Sequence, residues 1–415
     1  MRARREGAPT RGRRAARPGG CRGASRAGSR VCLLAALTAL TTAQAAEASL
    51  RVSPVGVRPG ATLTVKVTGR LPRTLSIDGR KAATARRHTT RLRLTGIPEG
   101  RHRLRACRGG SCASAVFVVT DGPILAGCPV LPPDSAWNTD ISKAPLAADS
   151  ATLVAAQAAG HDVHLDFGDT QREYGIPFAI VGADQRRVAI TYGTDGADYG
   201  DESDHGPFPI PPTAPIEGAT AQQPDPQEGD RHVLVVQRRR CVDYELYNAV
   251  RVNGGAAWQV SSSARWDLTR NQRRPQRWTS ADAAGLPILP GLLRYDEAAS
   301  GTIRHALRFT LPRARAAYQA PASHCGTATD PSAPAYGSRW RLKASFDESP
   351  YRGPALAIVR ALKRYGLMFA DQGSAMFITG TSDPRWTQTI EDIDQRHPIP
   401  GDAFEVVAGP PVTDC

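Results

Sequence analysis

Between residues 48 and 121 turn chemistry returns roughly every ten residues, so nothing longer than a short strand fits between the turns. Arg58-Pro-Gly60, Asp78-Gly79 and Pro98-Glu-Gly100 punctuate strand-like runs at Ser49 to Val52, Thr62 to Thr68, Thr74 to Ile77, Thr90 to Leu94, His102 to Ala106 and Ala115 to Thr120. Six such runs at this spacing predict an immunoglobulin-like sandwich over 48–121. Gly122-Pro123 marks its exit.

Beyond it, residues 124–415 alternate strands with short helices. Strands are expected at Val163 to Phe167, Phe178 to Val181, Val188 to Tyr192, His232 to Val236, Cys241 to Tyr247, Ala264 to Leu268, Ile303 to Leu311, Arg339 to Ser345, Leu367 to Ala370 and Ala375 to Thr379. Helices are expected at Ser150 to Ala159, Ser280 to Ala284, Leu292 to Ala299 and, most clearly, Pro354 to Tyr365. In the last, Ala355, Ile358, Val359, Leu362 and Tyr365 share a face, and Gly366 stands where a C-terminal cap belongs. With 39 Gly and 33 Pro in 415 residues a bundle of long helices is excluded. The fold class is therefore mainly β: the first sandwich, then a larger antiparallel sandwich or jelly-roll-like domain with peripheral helices.

The first 45 residues read as an export signal. An Arg-rich stretch precedes the apolar Val31 to Ala46, and Ala43-Gln-Ala45 offers a cleavage site. After residue 46 no apolar run is long enough to span a bilayer as a helix. Six cysteines follow the signal, an even number that favours disulfides in an exported chain. Cys107 and Cys112 flank a Gly-Gly turn and are expected to pair across a hairpin. Cys128, Cys241, Cys325 and Cys415 allow three further pairings.

Charge is unevenly spread. Residues 48–122 hold fifteen Lys or Arg against Asp78, Glu99 and Asp121, whereas residues 123–415 hold 28 basic and 34 acidic residues. A mildly acidic main domain argues against a nucleic-acid partner. The basic first module suits either an anionic envelope or acidic polysaccharide, or a solvated spacer.

The long loop Gly193 to Asp230 is the first place to look for a site, because structureless loops of that length usually serve a purpose. Its acids recur at every third position, so Asp198 and Asp201 are candidate Ca²⁺ ligands, with a solvated acidic loop as the alternative. Asp204, held by Gly206-Pro207, is a candidate catalytic carboxylate. On the strand Cys241 to Tyr247, Asp243 and Glu245 share a face, a spacing that glycoside hydrolysis can use but that any strand with a wet face can also carry. Glu245 lies between tyrosines that would desolvate it, and Asp267 on the next strand is its candidate partner. Trp278 is a candidate sugar platform. His305, Arg308 and Arg341 are candidates for holding a uronate, against the plainer readings of a buried histidine and of arginines that neutralise acids.

The motifs Trp278-Thr-Ser-Ala-Asp282-Ala-Ala-Gly-Leu-Pro-Ile, Pro290-Gly-Leu-Leu-Arg-Tyr-Asp-Glu297, His305-Ala-Leu-Arg-Phe-Thr310, Arg341-Leu-Lys-Ala344 and Ala361-Leu-Lys-Arg-Tyr-Gly366 resemble a family of secreted microbial proteins of unassigned activity. Asp201-Glu-Ser-Asp204 and Ala214-Pro-Ile-Glu-Gly218 fit the same pattern. The resemblance covers about residues 129–407; it implies a shared secreted domain and carries over no catalytic role. The expected function is an exported carbohydrate-active enzyme, a glycoside hydrolase using a carboxylate pair drawn from Asp204, Glu245 and Asp267. The alternatives are a polysaccharide lyase, in which Arg308 or Arg341 neutralises a uronate and His305 or Tyr295 removes a proton, and a non-catalytic, calcium-dependent glycan or envelope binder. No other cofactor is expected.

Overall fold

Alternation of apolar and charged residues sets the two sheets of the first module. The computed structural model describes residues 48–168 and 175–415; the export-signal reading of residues 1–45 lies outside the described residues. One sheet orders Leu50–Ser53, Thr62–Val67 and Thr89–Arg93. The other orders Gly56–Val57, Ser111–Val119, Gly100–Arg108, Arg73–Ile77 and Arg80–Ala85. Val52, Leu63, Val65, Leu75, Leu104 and Phe117 face inward and are buried, while Arg51, Lys66, Arg101, Arg103 and Arg105 face out. The opening segment changes sheets, pairing first with Thr62–Val67 and then, parallel, with Ser111–Val119. This is an immunoglobulin-like topology. The short Gly56–Val57 and Arg80–Ala85 strands were not foreseen.

The remainder is built on a six-stranded sheet in the order His164–Asp166, Phe377–Thr379, Leu307–Leu311, Leu367–Gln372, Arg339–Leu342, Phe404–Val407. A four-stranded sheet orders Phe178–Val181, Val233–Gln237, Val242–Tyr247 and Ser262–Asp267, and a three-stranded sheet orders Ala189–Tyr192, Ala257–Val260 and Val250–Val252. The chain is mainly β, as expected, but the pairing is mixed. Among the described residues of this region four strand pairs run parallel, one of them Leu307–Leu311 with Leu367–Gln372. Parallel neighbours need a long crossover. Here it passes through Arg339–Leu342 and the helix Gly353–Arg364. That helix buries Ala355, Ile358, Val359 and Leu362 against the sheet. It ends at Gly366, whose φ of +66° and close approach to the Trp340 carbonyl leave no room for a Cβ.

The four-stranded sheet lies between two cores. Leu234 and Val236 face the main core, and Val233, Val235, Val242, Tyr244 and Leu246 face a second one around Phe208, Ile210 and Trp258. Ser280 to Ala284, expected as a helix, is instead a tight turn. Cys107 pairs with Cys112 as expected, and the remaining bridges are Cys128–Cys241 and Cys325–Cys415. Among the described residues no helix is long and apolar enough to cross a membrane.

Candidate active site

Arg308 projects from the central strand Leu307–Leu311. Its Nε and Nη2 donate to the two oxygens of Asp282, each at 3.0 Å, Nη1 donates to Thr379 Oγ1 at 2.7 Å, and Nη2 reaches Asp371 Oδ2 at 2.9 Å. A β-bulge brings Asp371 here. Arg308 pairs with Met368, but the register shifts after Phe309, so Thr310 sits opposite Asp371 rather than Ala370. Without that shift the alternation would place Asp371 on the other face of the sheet.

Asp282 is buried in the turn after Trp278, where Ser280 Oγ accepts from the Asp282 amide at 2.9 Å. Gly285 closes that turn at a φ of +70°, its amide donating to the Asp282 carbonyl. The adjoining Ala281 carbonyl accepts from His232 Nε2 at 3.0 Å, and His232 Nδ1 meets Glu217 Oε2 at 2.5 Å. A chain of polar contacts thus ties the end of the long loop to the central strand.

Above it opens a cavity of about 290 Å³ lined by Tyr199, Asp230, Tyr247, Asp282, His324 and Asp371, among others. A second cavity of about 610 Å³, lined by Glu217, Gln227, Glu228 and Asp230, meets it at Asp230. Burial raises the Asp371 carboxyl to about 7, with Asp282 and Asp230 adding to the effect against the pull of Arg308. Burial opposes the charge on His232, but Glu217 outweighs it and holds the ring protonated to about 9. Burial likewise opposes the charge of Glu217, and His232 outweighs it, so that carboxyl is lowered. Half-buried Asp166 is raised by burial, with Glu217 and Asp230 adding. Asp282 and Asp371 more than offset the burial of Arg308, so its guanidinium stays charged.

The three carboxylates expected to form the catalytic pair do not converge. Asp204 Oδ2 accepts from Arg274 Nη1 at 2.6 Å and from the Arg265 amide at 2.9 Å, which clamps the loop to the sheet edge. Glu245 is fully buried, accepting from the Ile288 and Leu289 amides at 2.8 and 2.9 Å and from Trp266 Nε1 at 3.0 Å. Because three donors hold Glu245, Asp243 beside it carries the proton, and burial together with Glu245 pushes Asp243 well up. The face expected to be wet is a core face. The strands do pair, but Glu245 stands opposite Ala264 and Asp267 opposite Val242, so Asp267 points from the other side of the sheet. There it accepts from Thr269 and pairs with Arg270.

The other candidates are also occupied. Trp278 is half-buried, its ring 5.4 Å from the Arg274 guanidinium. His305 is buried against Glu297 Oε2 (2.7 Å) and the Ala306 carbonyl (2.8 Å), and burial with nearby Arg294 lowers it to about 3. Tyr295 packs edge-on against Trp386. Arg341 is spent on Glu405 and the carbonyls of Ile141 and Ala144. Asp198 caps the Gly200 amide and Asp201 is exposed, so the two do not build a calcium cage. Among the described residues the one grouping of metal-ligating type is Glu217, Asp230 and His232, with ligand atoms within 4.8 Å of one another. Both ring nitrogens of His232 already face oxygens, so the grouping is an imidazolium ion pair and a metal would have to displace Glu217.

None of the candidate residues lines the cavity, and Arg308 reaches it through Asp282 and Asp371. Glu217, Asp230, His232 and Asp371 were missed as site residues. The available signal was the long loop, since Glu217 and Asp230 lie toward its end, and Glu217 stands in one of the motifs quoted for the resemblance.

No family model matches the chain and no curated protein matches it. Solved structures of the N-terminal four Ig domains of Dscam1 isoforms 9.44, 1.9 and 4.44 align with 18%, 20% and 21% identity over 18% of this chain, at TM-scores of 0.15, 0.14 and 0.14. The match spans about a fifth of each of those chains.

Proposed function

We propose that the chain is an exported carbohydrate-active enzyme, a glycoside hydrolase, and that its carboxylate pair is Asp371 and Asp230. The observation that carries this reading is that both line one cavity while Asp371, aimed by the bulge and braced by Arg308, keeps its proton up to about pH 7. Hydrolysis requires one carboxyl to protonate the leaving oxygen and another to act as nucleophile or to deprotonate water. Asp371 takes the first role and the solvent-exposed Asp230 the second. Tyr199 and Tyr247 offer ring faces to a sugar, and the adjoining loop cavity gives a longer glycan room to extend past Asp230. Three disulfides support export, together with the leader-like start of the sequence.

The test is incubation with a panel of polysaccharides, scoring new reducing ends. Asp371→Asn and Asp230→Asn should each lower hydrolysis by about 100-fold or more. New reducing ends that persist at full rate in both variants would place the chemistry elsewhere, and products with unsaturated ends would mark elimination instead.

A further inference from the structure

Another cavity lies where the immunoglobulin-like module meets the rest of the chain, and it shares no lining residue with the cavity around Asp371. It holds about 670 Å³ and is flanked by Arg51 and Arg101 from the first module and by Arg239 and Arg240 from the turn joining Val233–Gln237 to Val242–Tyr247. All four arginines are exposed. The acids at the cleft are Asp184 and Asp267, and Asp267 is already paired with Arg270.

Two further observations show that this positive cleft is built. Arg239 takes a φ of +69° and Cys241 one of +52°, conformations that favour Gly or Asn, yet the turn carries Arg238, Arg239 and Arg240. The next residue, Cys241, is bridged to Cys128, just past the first module, so the turn arginines are pinned beside Arg51 and Arg101. In the module Arg58, Arg73 and Arg108 donate to backbone carbonyls. Among the described residues, none of the fifteen Lys or Arg between 48 and 122 pairs with a carboxylate. Asp78 is taken by His102, and Glu99 accepts from the Asp121 amide.

We infer that this cleft is a second binding site, for a linear acidic polysaccharide of the uronate type. Guanidinium forks match carboxylates in pairs. The lining carries no aromatic side chain, whereas single-stranded nucleic acid is held by stacking its bases on aromatic rings as well as by charge. The three disulfides fit an oxidising, extracytoplasmic setting, where acidic polysaccharides occur. The site goes beyond the hydrolase reading and does not depend on it.

The test uses the full chain and polygalacturonate at low and high salt, with neutral dextran and a single-stranded oligonucleotide as comparisons. Wild type should bind polygalacturonate in preference to both, and weaken with salt. A triple variant, Arg101→Gln, Arg239→Gln and Arg240→Gln, should bind at least about tenfold more weakly with an unchanged melting temperature. A second variant removing equal charge elsewhere on the module, Arg80→Gln, Arg86→Gln and Arg87→Gln, should lose much less. Equal loss in both variants, no binding by wild type, or tighter binding of the oligonucleotide would overturn the inference. Asp371→Asn, which tests the hydrolase reading, should leave this binding intact.

Discussion

Arg308 closes a fork on Asp282, two 3.0 Å hydrogen bonds in parallel, and the same guanidinium holds Asp371 on its open side. Both sides of the fork are buried, so neither charge has water to fall back on. Removing one member of a buried pair leaves the other uncompensated, at a cost of about 3–5 kcal/mol. Arg308→Ala is therefore expected to lower the urea midpoint by an amount of that order. Arg308→Lys should recover only part of it, because a single ammonium cannot reach both carboxylates in the planar geometry.

Asp371 makes stability fall with rising pH. Its carboxyl ionises near 4 in the unfolded chain and near 7 in the folded one, so between about pH 4 and 7 the folded state holds a proton that the unfolded state has released. The resulting penalty grows across that window and is constant above it. Unfolding midpoints measured from pH 4 to 8 should show this slope in wild type, and Asp371→Asn should flatten it. An unchanged slope in the variant would assign the titration to another group.

Glu217 and His232 each contribute stability, lost at opposite ends of the scale. The raised His232 contributes stability fully below about pH 6.5, and that contribution is lost as pH climbs through about 9. The lowered Glu217 contributes above about pH 4.5 and loses its share as pH falls below that value. Glu217→Gln should abolish the alkaline loss between pH 6.5 and 9. Titration of the His232 ring by NMR should move back toward its ordinary value in that variant.

Asp243 and Glu245 are both buried in the core, but only Glu245 is held by donors. Glu245 satisfies two backbone amides and an indole, so Glu245→Ala should cost several kcal/mol, about 1–3 for each polar group left unpaired. Asp243→Asn keeps a neutral side chain where burial already enforces one, and should cost little. Chemical denaturation of the two variants checks the contrast. Whatever hydrolysis the folded protein performs should be the same in Asp243→Asn as in wild type.

The strands of the first module were legible because one face of each meets water, so the sequence alternates and the turns announce themselves. The helix Gly353–Arg364 was legible for the same reason. The fully buried Val233–Gln237 run was visible as a strand, but nothing in it marks which face meets which core. That ambiguity misled the reading of Asp243 and Glu245, since a strand packed on both sides does not reserve its acids for solvent. The position of Asp371 was unreadable for another reason. A one-residue register shift between two strands separated by more than fifty residues decides which way it points, and no local pattern encodes that shift. Arg308 was recognised as a candidate, but its partners Asp282 and Asp371 could be assigned only once the sheet order was known.

The three bridges differ greatly in span, joining cysteines 5, 113 and 90 positions apart in the sequence. A ribosome makes the chain from one end, so the first clasp can close while most of the protein is still unwritten, whereas Cys128 must wait for Cys241 to be added. Until then the turn of Arg238 to Arg240, which leads straight into Cys241, has no covalent tie to the first module, and one wall of the cleft is still missing.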